Sequence, residues 1–166
     1  MDLVNAMVEH HVWLVGEMID RVGSMSEEQL DAPIEISVEG IDDDPTIRFL
    51  LSRLVGQMAM WNATIDGLPY DFDVERGESL ASMKARLADE GATFLSTVRT
   101  AVEEDRLDET FVDAACDPAE IFTHGGMIAH VLTFAAHRRT LVAGALIDAG
   151  ISDLGAGDPV RWVAAR

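Results

Sequence analysis

The chain has 166 residues, and 48% of them are hydrophobic, so one domain can bury a core without disulfides or a structural metal. Its 30 acidic residues against 12 basic ones give a net charge of −18, which argues against nucleic acid and anionic membranes as partners. The single Cys116 excludes an internal disulfide and a Cys-rich zinc site.

Targeting signals are absent from the sequence pattern. No apolar run reaches the roughly 20 residues that a membrane helix needs. The N-terminus is acidic and amphipathic and has no basic segment of the kind that begins a signal peptide. We therefore expect a cytoplasmic protein with no membrane partner.

A first helix is predicted over residues 2–23, because apolar residues recur there at three- and four-residue steps and Gly23 can end it. Ser26 and Gln29 have the spacing of a capping box, which predicts a short helical turn. From Pro33 to Gly40 the apolar residues alternate, which is typical of an extended segment.

Three more helices follow. Asp42–Asp44 and Pro45 form a strong start signal, which predicts a second helix that ends at Gly67. A third helix is predicted over residues 79–104. After an irregular stretch in which residues 110–112 read as extended, a fourth helix is predicted over residues 125–149. It is apolar on nearly every side, as is typical of a helix buried among others, and we expect the tail with Trp162 to pack back on the helices. Four such helices with short irregular or extended connections predict an all-α four-helix bundle in one domain, residues 1–166.

The histidines do not form a recognisable catalytic motif. His130 and His137 lie two turns apart on the fourth helix, about 10.5 Å along its axis, which is too far for them to share a metal easily. His130 is therefore more simply explained as a hydrogen-bonded core or rim histidine. His11 lies on the core face of the first helix, and its neighbour His10 is rotated from it by about 100°.

Arg53 is the most unusual residue of the second helix, because it lies on or near the apolar face that carries Gln57 and Trp61. A buried arginine must be paired, since an unpaired charge in a core is too costly. Two explanations stay open. Either the guanidinium holds an anionic ligand, or it forms a salt bridge with one of the chain's many acids.

Taken in order, three stretches resemble the DinB-like superfamily of four-helix bundles, which includes mycothiol-dependent maleylpyruvate isomerase and bacillithiol transferases. These stretches are residues 10–33, 50–69 and 125–162, and from the first to the last they span almost the whole chain. The resemblance implies an up-down-down-up bundle that is often dimeric, with a pocket at one end. Metal-binding members hold zinc or nickel with a His eight residues before a Trp and with a His or Glu and a His four residues apart on the last helix.

Residue by residue, those positions fall on Arg53, Thr133 and His137, so only one ligand of the family triad is present. A fixed positive charge at position 53 repels a metal ion, and no metal is therefore favoured. A rearranged zinc or nickel site made of His11, His130 and His137 is the fallback.

Three functions follow as hypotheses. The first is a degenerate thiol-dependent S-transferase or isomerase, in which His137 is the general base on a low-molecular-weight thiol and Arg53 holds a carboxylate. In that pocket, the expected ligand-binding residues are Arg53, Gln57, Trp61, Thr133, His11 and His130. The second is a non-catalytic bundle that binds a small acidic ligand or a partner. The third is a structural or dimerisation module, and a homodimer is expected from the resemblance.

Overall fold

The architecture is mostly helical. In the computed structural model, the described residues are 2–35, 45–151 and 157–166. They are 69% helix, which confirms the predicted all-α class apart from one small hairpin. The helices are α1 (Leu3–Arg21), α2 (Glu27–Leu30), α3 (Ile47–Ile65), α4 (Leu80–Glu103), α5 (His124–Asp148) and α6 (Pro159–Ala164). The antiparallel strands are β1 (Thr110–Asp113) and β2 (Glu120–Thr123).

The four long helices α1, α3, α4 and α5 pack on one another around a single core. α3 is the most deeply buried of them and contacts the other three. Where α1 crosses α4, a side chain at Gly91 would come within 3.0 Å of Val12, so this glycine allows a close approach without breaking the helix. None of the described helices has the length and apolarity that a membrane crossing requires.

Local signals set several boundaries as expected. Ser26 and Gln29 form both hydrogen bonds of the predicted capping box. The Ser79 side chain accepts a hydrogen bond from the amide of Ser82 and caps α4. Gly67 adopts a positive φ of 67° just after α3, where it ends the helix.

The predicted start of α3 is wrong by two residues. The helix begins at Ile47, and Thr46 caps it by accepting a hydrogen bond from the amide of Phe49. Pro45 stays outside because its carbonyl accepts a hydrogen bond from Ile34, and Thr46 forms an isolated β-bridge with Pro33. This pairing keeps the chain extended where the sequence predicted the first helical turn. Asp42–Asp44 and most of the predicted extended segment lie outside the described residues.

The last long helix, which its apolar composition predicted to be buried among the others, is only partly buried. Only eight of the 25 residues of α5 are buried. Several of its outward positions carry small residues, among them Ala129, Ala136 and Gly144, which expose little apolar surface each. The tail does pack back as predicted: Trp162 of α6 is buried, and its ring lies 6.2 Å from that of Trp13 in α1.

Candidate functional site

Arg53 is paired within the protein. Its Nη1 donates a hydrogen bond to Oε1 of Glu75 at 2.5 Å, and the two side chains are only 13% and 4% exposed. The guanidinium also lies 5.4 Å from the ring centroid of Phe72. Of the two explanations for this arginine, the structure shows the internal salt bridge.

Glu75 reaches Arg53 because the loop between α3 and α4 folds inward. A 3₁₀ turn over Phe72–Glu75 carries the carboxylate to the surface of α3 beside Gly56. A Cβ at Gly56 would lie 2.1 Å from Oε1 of Glu75 and 2.9 Å from the hydroxyl of Tyr70. The glycine therefore provides the space that this buried carboxylate occupies.

A second ion pair adjoins the first. Glu78 is buried and binds Arg86 through two hydrogen bonds, at 3.0 Å to Oε1 and 2.6 Å to Oε2. Ser52 donates to the same carboxylate at 2.5 Å. Burial opposes ionisation, yet these hydrogen bonds and that from Ser82 hold the pKa of Glu78 below its ordinary value.

Tyr70 joins the two pairs into one network. Its hydroxyl donates to Glu75 at 2.7 Å and accepts from Arg86 at 3.0 Å. Burial, followed by the hydrogen bond to Glu75, raises the pKa of the phenol, so the tyrosine stays neutral. We call Ser52, Arg53, Tyr70, Glu75, Glu78 and Arg86 the α3–α4 ionic network. Its charges satisfy one another, which is the arrangement expected of a structural element.

Gln57 and Trp61 also face inward from α3. Oε1 of Gln57 accepts a hydrogen bond from Arg138 of α5 at 3.2 Å, and both side chains are buried. Trp61 packs edge-on against Phe111 and Phe122 of the hairpin. Its indole N–H is buried and has no hydrogen-bond partner among the described residues.

His130 and His137 lie along one side of α5 with Phe134 between them. The His130 ring stacks on Phe134 at 4.3 Å and meets Trp61 edge-on at 5.8 Å. Burial and then the charges of Arg138 and Arg53 lower the pKa of His130, so the ring is neutral near pH 7. His137 is exposed, with its ring 6.3 Å from that of Phe134.

His11 is on another side of the molecule's core and does not join the other two. It is fully buried, and its Nδ1 lies 2.6 Å from Nη1 of Arg139. Within residues 2–35, 45–151 and 157–166, no three His, Cys, Asp or Glu side chains are grouped so that they could hold a metal ion. The structure therefore does not bring His11, His130 and His137 together as the fallback site requires.

The residues at the three positions that the DinB-like resemblance assigns to a metal do not fit a divalent cation either. Arg53 offers a cation that already binds Glu75, and Thr133 and His137 are exposed on α5. A hydroxyl and one imidazole beside a guanidinium are a poor donor set for zinc or nickel. No reaction step through a metal follows from this geometry.

In the described part of the chain, two sizeable cavities flank α5, and Arg53 lines neither. One of about 550 Å³ lies between α1, α5 and α6, with Arg139 and His10 among apolar side chains in its wall. The other, of about 630 Å³, lies between α5 and the segment that contains Ile34. A third of about 230 Å³ lies beside His124. Cavities of about 300–1,000 Å³ are the usual size of small-molecule sites.

Comparison of the chain with known protein families, with curated proteins and with solved structures gave no match. Three residues of interest were not predicted from the sequence: Glu75, Glu78 and Arg139. Gly56, inside α3, was the one local signal in the sequence that another part of the chain packs closely against this helix.

Proposed function

We propose that the protein is a non-catalytic, DinB-like four-helix bundle that binds a small molecule in the cavity between α1, α5 and α6. The cavity carries the proposal: it has the volume of a ligand site and a mostly apolar wall. The DinB-like assignment rests on the three sequence stretches, on the four long helices in the expected order and on their mutual packing.

The ion pair of Arg53 and Glu75 favours binding over metal-dependent catalysis. It occupies the position where the family would place a metal-binding histidine, and it is satisfied without a ligand. The thiol-transferase hypothesis then relies on His137 alone as a base, on an exposed surface. We therefore place the ligand in the apolar cavity and not at Arg53.

The binding test uses a neutral apolar fluorophore, N-phenyl-naphthylamine, whose emission rises on entering an apolar site. We expect saturable binding to the wild type and a loss of binding in Ala143→Phe, because Ala143 lines this cavity. Ala145→Phe is the matched control, since Ala145 lies two residues further along and lines the other cavity. Absent binding, or equal loss in both variants, contradicts the proposal.

The metal test uses protein without a histidine tag. After incubation with Zn²⁺ and Ni²⁺ and removal of free ions, we expect no stoichiometric metal by elemental analysis. Stoichiometric metal that disappears in His137→Ala would overturn the non-metal assignment and restore the transferase hypothesis.

A further inference from the structure

Arg139 is the only arginine among the described residues that line the α1–α5–α6 cavity. The apolar wall is formed by residues of α1 such as Leu14, residues of α5 such as Leu132 and Trp162 of α6. Burial lowers the pKa of Arg139, and no acidic group among the described residues counteracts that effect. The side chain of Arg139 is half-buried, and no carboxylate among the described residues compensates its charge.

Arg139 differs from most basic residues of this chain in how its charge is paired. At least nine of the twelve basic side chains lie within salt-bridge distance of a carboxylate. Arg139 has no carboxylate partner among the described residues, although the chain has 30 acidic residues. Its only hydrogen-bonding contact there is His11.

His11 holds the guanidinium without neutralising it. An arginine can only donate, so Nδ1 of His11 must accept and the ring proton must be on Nε2. Burial, followed by the nearby charge of Arg139, lowers the pKa of His11 to about 3, so the ring stays neutral. The remaining guanidinium N–H groups have no acceptor in the described part of the chain.

The mouth of the same cavity is apolar. Leu3, Met7 and Val163 line it and are 72%, 47% and 37% exposed. An occupant with an anionic head and an apolar tail would satisfy the guanidinium and cover these side chains. The net charge of −18 disfavours non-specific binding of anions, so any anion preference must come from a local site.

We infer that the cavity binds an anionic amphiphile, with its carboxylate on the guanidinium of Arg139 and its chain along the apolar wall between α1, α5 and α6. This inference rests on the proposed function and names the class of ligand. A forked guanidinium suits a carboxylate because two parallel N–H groups can bind its two oxygens.

The test compares three ten-carbon probes below their micelle concentrations: decanoate, decanol and decylammonium. Each is titrated against the wild type by displacement of N-phenyl-naphthylamine. We expect decanoate to bind about 10- to 100-fold more tightly than decanol, because a carboxylate can form a bidentate, charge-paired contact with the guanidinium whereas a neutral hydroxyl can accept only a single bond. Decylammonium should bind most weakly, because its charge repels the guanidinium. Affinity for carboxylates should rise about fourfold for each added methylene.

The matched variants are Arg139→Gln and Arg161→Gln. Both remove one positive charge, but Arg161 is exposed on α6 and does not line the cavity. We expect Arg139→Gln to lose the preference for decanoate while keeping decanol, and Arg161→Gln to keep both. The wild type alone is a sufficient test: equal affinity for decanoate and decanol overturns the inference. The inference therefore stays testable even if Arg139→Gln folds poorly.

Two outcomes separate the inference from the proposed function. If decanol and the fluorophore bind but decanoate has no advantage, the cavity is a ligand site and the inference alone fails. If no probe binds to a folded wild type, the cavity is not a ligand site, and both fail.

Discussion

Replacing His11 by asparagine should make the free energy of unfolding less sensitive to acid, because the buried imidazole ring opposes folding once it can be protonated. The ring is 1% exposed and accepts a hydrogen bond from Arg139, which prevents protonation at Nδ1. Its pKa falls from 6.5 to about 3, mainly through burial. Asparagine offers a carbonyl oxygen near the position of Nδ1 and does not titrate, so it keeps the contact and removes the proton linkage.

The sign and size follow from the two pKa values. As pH falls, the unfolded chain protonates this histidine near pH 6.5, whereas the folded protein does not until about pH 3. The stability that the neutral ring contributes is therefore complete above pH 6.5 and is lost progressively between 6.5 and 3. At about pH 5 the loss is about 2 kcal/mol, since each pH unit below the unfolded pKa corresponds to about 1.4 kcal/mol.

The assay is urea unfolding followed by circular dichroism, at about pH 7.5 and about pH 5. The wild type should lose about 2 kcal/mol more than His11→Asn on acidification. His137→Asn is the control: His137 is exposed, so this variant should lose as much as the wild type. Carboxylates that also titrate are common to all three proteins and cancel in the comparison. Equal losses in the wild type and His11→Asn would refute the assignment of His11 as a buried neutral ring.

Other predictions concern the α3–α4 ionic network and use the same unfolding assay near neutral pH. Gly56→Ala should destabilise the protein by about 2–4 kcal/mol, because its methyl group displaces the carboxylate of Glu75. Gly144→Ala, where nothing lies within 4 Å, should instead stabilise α5 by up to about 1 kcal/mol, and a similar loss in both would contradict the steric argument. Arg53→Met should cost about 3 kcal/mol, because it leaves the buried carboxylate of Glu75 without its cation and with only the hydrogen bond from Tyr70. The added change Glu75→Gln should recover much of that loss, and additive losses would argue against direct pairing.

The helices were predictable because their signals are local. Apolar periodicity and caps such as Ser79 act within a few residues, so the bounds of α1, α4 and α5 differ from the predicted ones by one or two residues. The start of α3 was not predictable in the same way. Its strong cap signal at Pro45 is overridden by pairing with the segment around Pro33, a contact between positions that are distant along the chain.

The ionic network was not predictable, because the burial of an acid depends on what folds over it. Glu75 and Glu78 lie in a stretch that reads as a polar loop, and nothing local distinguishes them from the chain's other acids. Their burial requires the loop to turn inward against Gly56 and Ser52, which only the packing of α3 and α4 decides. The sequence did indicate that Arg53 needed a partner, but not which acid supplies it.

The directions in which the side chains of α5 point were not predictable for a related reason. His137, Arg138 and Arg139 are consecutive, and each is rotated by about 100° from the next, so they point to solvent, to Gln57 of α3 and to His11 of α1. α5 carries apolar residues on nearly every side, so hydrophobic periodicity does not show which of its faces points to the core. The apolar residues of α5 that do not face the core, such as Leu132 and Leu141, remain partly exposed and line the two cavities that flank the helix. The apolar residues that conceal the orientation of Arg139 in the sequence thus also form the apolar wall around it, on which the proposed ligand site depends.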